Sequence, residues 1–477
     1  MVLPTTTIID IPKRQELPNF LRILVVLIIA FSITTANPLV SIFAIIVGLV
    51  IFFQLWIPGQ PPILFLCLIF QWLQSSTRIL QANLSGLSLN VYDNSVNAES
   101  AIVVAQSSLL VFSLIAGRMI RNTRFNSSGF REYLNQVDLS RTFFVYIISL
   151  VTLPLLMRFA VGGLSQIIYS FQGLKWALYS LLLLGAFQQN RNRNLVWLAF
   201  TFELLTGFLG YFSSYRDVLL ITAITLLTLR HRIHGSRFLL ILLAGVLAFC
   251  LFVVWTGIKE DYRKFLRGGT IVGGQNVVVS NTEALTYLGS IIGQFKISDF
   301  EKNMDVALDR LQYTQMIQRC MDFVPSGIEH QYGKVWFGAI THIFTPRILF
   351  PNKEILDDSA VAEKYTGLDW SGAERGTSIS IGYMAENYVD FGHVFFFLPM
   401  IFLGILFGRI YQYLLSVSDQ SLVLNAGAII SMFMPFQLIE LSGNKLLGGI
   451  IMNLLVYIFI IQRFIYPALL AYLFDKK

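Results

Sequence analysis

The chain has 477 residues, of which 55% are apolar and only 13% are charged. Soluble domains carry about 25% charged residues, so this composition excludes an ordinary soluble enzyme and indicates a polytopic membrane protein. The net charge of +7 does not indicate a nucleic-acid partner, because the basic residues cluster in short segments between apolar runs. Cys67, Cys250 and Cys320 offer neither a disulfide framework nor a metal-ligand set.

Apolar runs of ~20 residues predict membrane-spanning helices. The first run, Phe20 to Ala36, follows two basic residues as a secretory signal does, but apolar sequence resumes after Pro38, which favours a retained helix. Eleven more spans are predicted near residues 38–57, 61–77, 99–118, 142–159, 173–188, 195–212, 217–231, 238–257, 391–413, 421–438 and 446–464. The prediction is an all-α membrane protein with about twelve transmembrane helices, about nine in residues 1–257 and about three in 391–477.

The distribution of Lys and Arg predicts the orientation of the chain. With both termini in the cytoplasm, seventeen basic residues fall on the cytoplasmic side and five flank the short outer loops. Cytoplasmic loops carry the excess of basic residues, and loops as long as 258–390 do not enter this comparison. Residues 258–390 are therefore predicted to form a large extracytoplasmic loop.

Two apolar segments are predicted inside this loop. From Glu301 to Phe323 the apolar side chains fall on one helical face, which predicts one amphipathic helix on the membrane surface or against the bundle. Trp336 to Leu349 is short, apolar and interrupted by Pro346, which predicts a segment that dips part-way into the bilayer. Residues 341–392 hold twelve charged residues, and the chemistry is expected there.

Arg216 is a candidate phosphate ligand at the outer end of the eighth predicted span. A guanidinium binds phosphate through a bidentate fork, and the polar neighbour Ser213 favours a cavity over a lipid-facing surface. The alternative is an arginine that extends to the membrane interface or pairs with Asp217.

A second cationic segment lies in the loop. Arg347 stands between Pro346 and Pro351, which hold the backbone extended, and Lys353 follows six residues later. These cations suit an anionic group at the interface such as a lipid diphosphate, or alternatively they anchor the loop on anionic headgroups. Arg375 is a further phosphate candidate.

Two carboxylates lie close to the membrane. Glu386, just before the tenth span, is either a general base for an attacking hydroxyl or a salt-bridge partner of Arg216 or Arg375. Glu203 lies mid-span, where a carboxylate indicates a functional site, a pairing with Arg158 or a cavity-lining role.

Four more residues are expected at the same site, and the motifs of metal and nucleotide chemistry are missing from the sequence. Glu440 and Lys445 bracket a short outer loop and are expected to close the site, while His342 or Asp358 would replace Glu386 as the base. The chain has no H-E-x-x-H pair, Walker loop, G-x-S-x-G elbow or dinucleotide fingerprint, so no metal and no cofactor are predicted.

These features together resemble a known family. An S-x-x-R at a span end, a P-R-x-L-x-P-x-K segment and a later G-T-S…G…A-E-x-Y…F-G pattern resemble the Wzy-type bacterial polysaccharide polymerases, also called O-antigen or oligosaccharide repeat-unit polymerases. The matching positions are Ser213, Arg216, Pro346, Arg347, Leu349, Pro351, Lys353, Gly376, Ser378, Gly382, Glu386, Tyr388, Phe391 and Gly392. The hydropathy resemblance covers nearly the whole chain, and the motifs cover about 60 residues.

The resemblance implies a GT-C-like bundle in the bacterial inner membrane with an extracytoplasmic active site. Such polymerases join oligosaccharide units carried on undecaprenyl diphosphate, without a nucleotide sugar or an established metal. Membrane lipid and a chain-length-regulating co-polymerase are the other implied partners. The site residues expected on this basis are Glu386, Arg216 and Arg347 for catalysis and Lys353, Arg375, Tyr388, Ser213 and His342 for substrate binding.

Two other functions remain open. An O-antigen ligase would pass the glycan to a lipid core and would depend on a loop histidine, for which His330 or His342 is available. A transporter or flippase of lipid-linked glycans is the alternative from a different class. Transporters often show repeat symmetry, which this sequence lacks, and the long outer loop also argues against one.

Overall fold

The computed structural model describes residues 19–159, 164–211, 214–229, 235–269, 277–345, 350, 352–353, 356–370 and 378–474. Every regular element within them is helical. In chain order the helices are α1 (Asn19–Ser32), α2 (Pro38–Leu55), α3 (Ile63–Leu84), α4 (Leu89–Tyr92), α5 (Ala98–Arg121), α6 (Ser127–Gln136), α7 (Leu139–Met157), α8 (Leu164–Ser170), α9 (Gln172–Gln189), α10 (Arg193–Leu209), α11 (Tyr215–Thr228), α12 (Gly235–Leu266), α13 (Asn281–Gln294), α14 (Ile297–Leu311), α15 (Thr314–Phe323), α16 (Lys334–Phe344), α17 (Asp358–Thr366), α18 (Tyr383–Phe395), α19 (Leu398–Leu415), α20 (Ser421–Phe433), α21 (Gly443–Val456) and α22 (Tyr466–Phe474). A 3₁₀ turn (Met434–Gln437) follows α20, and a π-helical stretch (Tyr457–Ile465) joins α21 to α22.

Among the described residues, eight helical segments are long and apolar enough to cross a membrane. They are Pro38–Leu55, Ile63–Leu84, Ala98–Arg121, Leu139–Met157, Leu164–Gln189, Leu243–Leu266, Leu398–Leu415 and Gly443–Phe474. The other four predicted spans coincide with the shorter helices α1, α10, α11 and α20. The all-α class is confirmed, and the count of twelve stays a prediction.

Close helix packing in the bundle depends on glycines. Gly404 and Gly408 of α19 form a G-x-x-x-G pair that faces α5, where added Cβ atoms would lie 3.0 Å from Ile115 and 2.6 Å from Met119. Gly427 of α20 approaches α9 in the same way. Small residues at such positions let helix backbones approach closely, which drives association inside a membrane.

The loop helices differ from the prediction in one respect. The single helix predicted over Glu301 to Phe323 is two helices, α14 and α15, separated at Gln312 and Tyr313. They turn apart because they pack on different partners, α14 on α12 and α15 on α5 and α18. Both lie against the bundle, which was one of the two placements that the sequence allowed.

A buried arginine ties α14 to the bundle. Arg78 of α3 pairs with Asp93, and its Nη1 lies 2.9 Å from Asp309 of α14. The Arg78 guanidinium also stacks over Tyr92 at 4.7 Å. The Asp93 side chain is only 3% exposed, so it depends on Arg78 for its compensating charge.

We therefore expect Arg78→Met to lower the free energy of unfolding by about 3–5 kcal/mol, because it leaves the Asp93 carboxylate buried without a partner. Thermal unfolding in detergent measures this effect. Asp309→Asn is the control, since the Asp309 side chain is 59% exposed and its removal should cost under about 1 kcal/mol. Equal losses in both variants would contradict this assignment.

Candidate functional site

The candidate site is organised around α18, in which every residue from Tyr383 to Asp390 is buried. The helix begins after Gly382, whose φ of 82° favours glycine and where a Cβ would lie 2.5 Å from the Ile439 carbonyl oxygen. It is broken at Gly392, with φ of 61°. Buried polar side chains require partners, so the contacts of this segment define the site.

Glu386 caps another helix. Its Oε2 accepts a hydrogen bond of 2.7 Å from the backbone N–H of Gly443, the first residue of α21. Burial raises the pKa of Glu386 from 4.5 to about 8, against the lowering effect of the Gly443 bond, and the Asp358 and Asp390 carboxylates raise it further. A carboxyl group with a pKa near neutrality can both accept and return a proton at physiological pH.

Of the two salt-bridge partners considered for Glu386, Arg216 does not pair with it, and Arg375 lies outside the described residues. Arg216 instead lies 3.8 Å from the neighbouring Asp217. Asp358, which lies within electrostatic range of Glu386, pairs with Lys445 at 2.5 Å. Lys445 lies two residues after Gly443, to which Glu386 is hydrogen-bonded, and its role in closing the site stays a prediction.

Asp390 performs the same capping role for α16. Its two carboxylate oxygens accept hydrogen bonds from the backbone N–H groups of Val335 at 3.0 Å and Trp336 at 2.9 Å. The Trp336 indole donates to Asn387 Oδ1 at 2.8 Å. One turn of α18 therefore fixes the starts of two other helices.

Two buried polar groups beside Glu386 lack a hydrogen-bond partner within the described parts of the chain. They are the amide Nδ2 of Asn387 and the hydroxyl of Ser442. Asn387 follows Glu386 directly, and Ser442 precedes the Gly443 that Glu386 binds. Buried polar groups without partners are costly, so their presence here indicates a place where another molecule or water supplies hydrogen bonds.

The α20–α21 turn (434–442) passes between α3 and α18. Its backbone is irregular, and such backbone is stable inside a membrane only where protein groups satisfy it. Gln71 of α3 donates to the Phe436 carbonyl, and Gln74 accepts from the Ile439 N–H at 3.3 Å. The Tyr383 hydroxyl donates to Gln71 at 2.7 Å, so α18 and α3 hold the turn together.

A cavity of about 330 Å³ lies between α8, α9, α11, α20 and the α21–α22 segment, and this turn lines it as well. Arg216 and Asp217 line it, as do aromatic and amide side chains including Trp176 and Gln437. This mixed lining suits a ligand with polar and apolar parts. The turn therefore connects this arginine-bearing cavity to Gly443, to which Glu386 is hydrogen-bonded.

Glu203 has a different partner from the one considered in the sequence. Lys175, and not Arg158, pairs with it at 2.9 Å, and the Tyr146 hydroxyl donates to its Oε1 at 2.8 Å. Lys175 also lies 4.0 Å above the ring of Trp176, which lines the cavity. The ion pair therefore stiffens the cavity wall.

A group of basic side chains near Arg216 was not predicted from the sequence. Lys259 and Arg263 of α12 and Arg310 of α14 lie within electrostatic range of one another, and Lys259 also lies within range of Arg216. We call these four residues the cationic cluster. The available signal was the four-residue spacing of Lys259 and Arg263, which puts both on one helix face, while the approach of α14 could not be read from the sequence.

The remaining predicted site residues divide into three groups. Lys353 donates a hydrogen bond to the His342 carbonyl, so these two lie together. The Tyr388 hydroxyl donates to the Val324 carbonyl at 3.0 Å inside the core. Ser213, Arg347 and Arg375 lie outside the described residues.

The shifted pKa of Glu386 predicts how stability depends on pH. Since the folded state holds this proton up to a pH of about 8, and the unfolded state only to about 4.5, stability should fall as pH rises between these values. The slope is at most about 1.4 kcal/mol per pH unit. Burial also raises the pKa of Asp390, so thermal unfolding of Glu386→Gln should show a weaker slope, not a flat one. An unchanged slope would contradict the assignment.

The helical architecture and the eight membrane-length segments are those of a polytopic membrane protein. The chain belongs to the family described as a domain of unknown function, DUF8712, whose match covers residues 60–468. No curated protein and no solved structure matches the chain. Among the described residues, no group of three His, Cys, Asp or Glu side chains could hold a metal ion.

Proposed function

We propose that the protein is a membrane glycosyltransferase of the polysaccharide-polymerase type, which joins oligosaccharide units carried on undecaprenyl diphosphate. The observation that carries this proposal is the pairing of a buried carboxyl, Glu386, with an arginine-bearing cavity across the α20–α21 turn. The proposal includes a GT-C-like bundle of about twelve spans in a bacterial inner membrane, with residues 258–390 on the outer face.

In the proposed reaction, an acceptor sugar hydroxyl attacks the anomeric carbon of the donor glycan. The hydroxyl proton passes to Glu386, the new glycosidic bond forms, and the bond to undecaprenyl diphosphate breaks with its electron pair on the departing phosphate oxygen. The unpartnered groups of Asn387 and Ser442 offer hydrogen bonds to the acceptor sugar beside Glu386. Arg216 and Arg347 stabilise the departing diphosphate, which is the larger contribution to lowering the barrier.

The orientation has its own test. Ser290→Cys in α13 should be modified by a membrane-impermeant thiol reagent in intact cells, whereas Ser128→Cys in α6 should react only after lysis. Both serines are exposed, and Cys67 and Cys320 are buried, so the background comes from Cys250, which is replaced in both variants. Labelling of Ser128→Cys alone in intact cells would reverse the proposed topology and every outer-face assignment with it.

Cells that lack the protein test the reaction against its alternatives. A polymerase predicts that single lipid-linked units accumulate on the outer face and that no long polymer forms. If the protein were a ligase, long polymer would form and remain on its lipid carrier. A transporter would leave single units on the cytoplasmic face, and either of these patterns would contradict the proposal.

A further inference from the structure

The cationic cluster joins four basic side chains from three helices. Lys259 and Arg263 lie one turn apart near the end of α12, Arg310 reaches them from α14, and Arg216 comes from the start of α11. Of the described acidic groups, Glu440 in the α20–α21 turn lies within electrostatic range of Lys259. Positive charge is therefore concentrated beside the cavity that Arg216 lines.

The cluster has little internal compensation. Within the described parts of the chain, no carboxylate lies within 4.0 Å of Lys259, Arg263 or Arg310, although Arg216 has Asp217 at 3.8 Å. The Nε of Arg263 donates to the Tyr211 carbonyl at 3.1 Å, and the guanidinium lies 4.7 Å above the Tyr211 ring. These contacts fix the direction of Arg263 without neutralising its charge.

α14 packs on α12, and this packing places Arg310 within electrostatic range of Lys259 and Arg263. At Gly257, two residues before Lys259, an added Cβ would lie 2.4 Å from the Asn303 side chain of α14 and 3.1 Å from Phe295, so the two helices are in close contact. Like charges that lie close together repel one another, and they repel more strongly where water is partly excluded. A bound anion with two or more charges would replace this repulsion with attraction.

We infer that the cationic cluster binds the diphosphate group of a lipid-linked substrate. Diphosphate fits because it carries several negative charges and many acceptor oxygens, which four separate cationic donors can share. A lipid source fits because α12 is long enough to cross a membrane and because the adjoining cavity is lined by membrane-length helices. The inference rests on the proposed function for the identity of the lipid. It adds Lys259, Arg263 and Arg310 to Arg216 as ligands of the diphosphate.

The test compares two double variants that remove the same charge from the same two helices. Lys259→Gln with Arg310→Gln disrupts the cluster, whereas Lys264→Gln with Lys302→Gln removes exposed lysines elsewhere on α12 and α14. Binding to the full-length purified protein is measured by native mass spectrometry with a short-chain polyprenyl diphosphate. Thermal unfolding without ligand checks that both variants are folded, which is expected because the repulsion that Lys259 loses is larger than its attraction to Glu440.

We expect the cluster variant to bind the polyprenyl diphosphate at least about tenfold more weakly than wild type, since it loses two cationic groups that donate charge-assisted hydrogen bonds to phosphate oxygens. The control variant should bind as wild type does. Equal Kd values for the two folded variants would overturn the inference.

Two further probes identify the source of the anion. Weaker binding of inorganic diphosphate than of the polyprenyl compound supports a lipid-borne ligand, and equal binding with the same loss in the cluster variant supports a free anion at the same site. Phosphatidylglycerol that binds as tightly as the polyprenyl diphosphate would overturn the diphosphate assignment.

A wild-type protein that binds the diphosphate but never lengthens glycans contradicts the proposed function and leaves this site intact. Polymerisation with equal binding in both variants contradicts only this site.

Discussion

Glu386→Gln is expected to reduce polymer formation by ~10²–10⁴-fold, the range that a general base contributes. The amide oxygen of glutamine can still accept the Gly443 N–H bond, so the start of α21 keeps its cap while the proton acceptor is lost. Lipid-linked oligosaccharide should still bind. The measurement is the initial rate of glycan lengthening, together with substrate binding to the same preparation.

The pH dependence gives an independent signature of this base. Because Glu386 must be deprotonated to accept a proton and its pKa is raised to about 8, the rate should increase with pH and level off above about 8. Asp390→Asn is the matched control, since it alters a buried carboxyl on the same helix whose contacts are to the start of α16. A native rate in Glu386→Gln would make Glu386 a helix cap and assign the base elsewhere, with His342 or Asp358 next.

Arg216→Lys is expected to lose most of the polymerising activity, at least about tenfold, although the positive charge is kept. Lysine cannot reproduce the planar fork with which arginine binds phosphate oxygens, and the loss of a charge-assisted hydrogen bond corresponds to about 1.5–3 kcal/mol. The same result is expected for Arg347→Lys if the two side chains converge on one diphosphate. Initial rates at saturating and limiting substrate measure both effects.

Arg409→Lys supplies the control for this substitution. Arg409 is exposed on α19, and its guanidinium bonds Gln412 at 3.3 Å. Its replacement should leave the rate unchanged. Normal polymerisation by folded Arg216→Lys and Arg347→Lys proteins would reduce both arginines to interfacial anchors.

The positions of the membrane helices could be predicted from the sequence because each long apolar run marks one helix. Each predicted span overlaps a helix, but the bounds differ. The span 391–413 begins inside α18 and crosses the break before α19, and α3 continues beyond the predicted end at residue 77 to Leu84. The apolar run stops there because Gln74, Arg78 and Gln81 are polar, yet these side chains face the protein interior, where α14 and the α20–α21 turn satisfy them. Hydropathy cannot distinguish a polar residue with buried partners from the end of a helix.

Single residues of the candidate site could be predicted from the sequence, but their contact partners could not. Glu386 stands out as a carboxylate beside an apolar segment, but its partner Gly443 lies 57 residues away and contributes a backbone N–H, which no side-chain pattern reveals. Lys175 and Glu203 meet because α9 packs on α10. The cationic cluster likewise depends on packing between helices that are distant in sequence. Such contacts are set by tertiary structure, whereas periodicity is set locally.

Polymerisation itself is measured with purified protein in liposomes, where a defined undecaprenyl-diphosphate-linked oligosaccharide is the only substrate. A polymerase gives products whose masses are whole multiples of one repeat unit and releases undecaprenyl diphosphate, and the Glu386→Gln protein forms these products ~10²–10⁴-fold more slowly. Substrate that stays at one repeat unit, whether it remains in place or crosses the bilayer, would contradict the proposal that this protein is a polymerase.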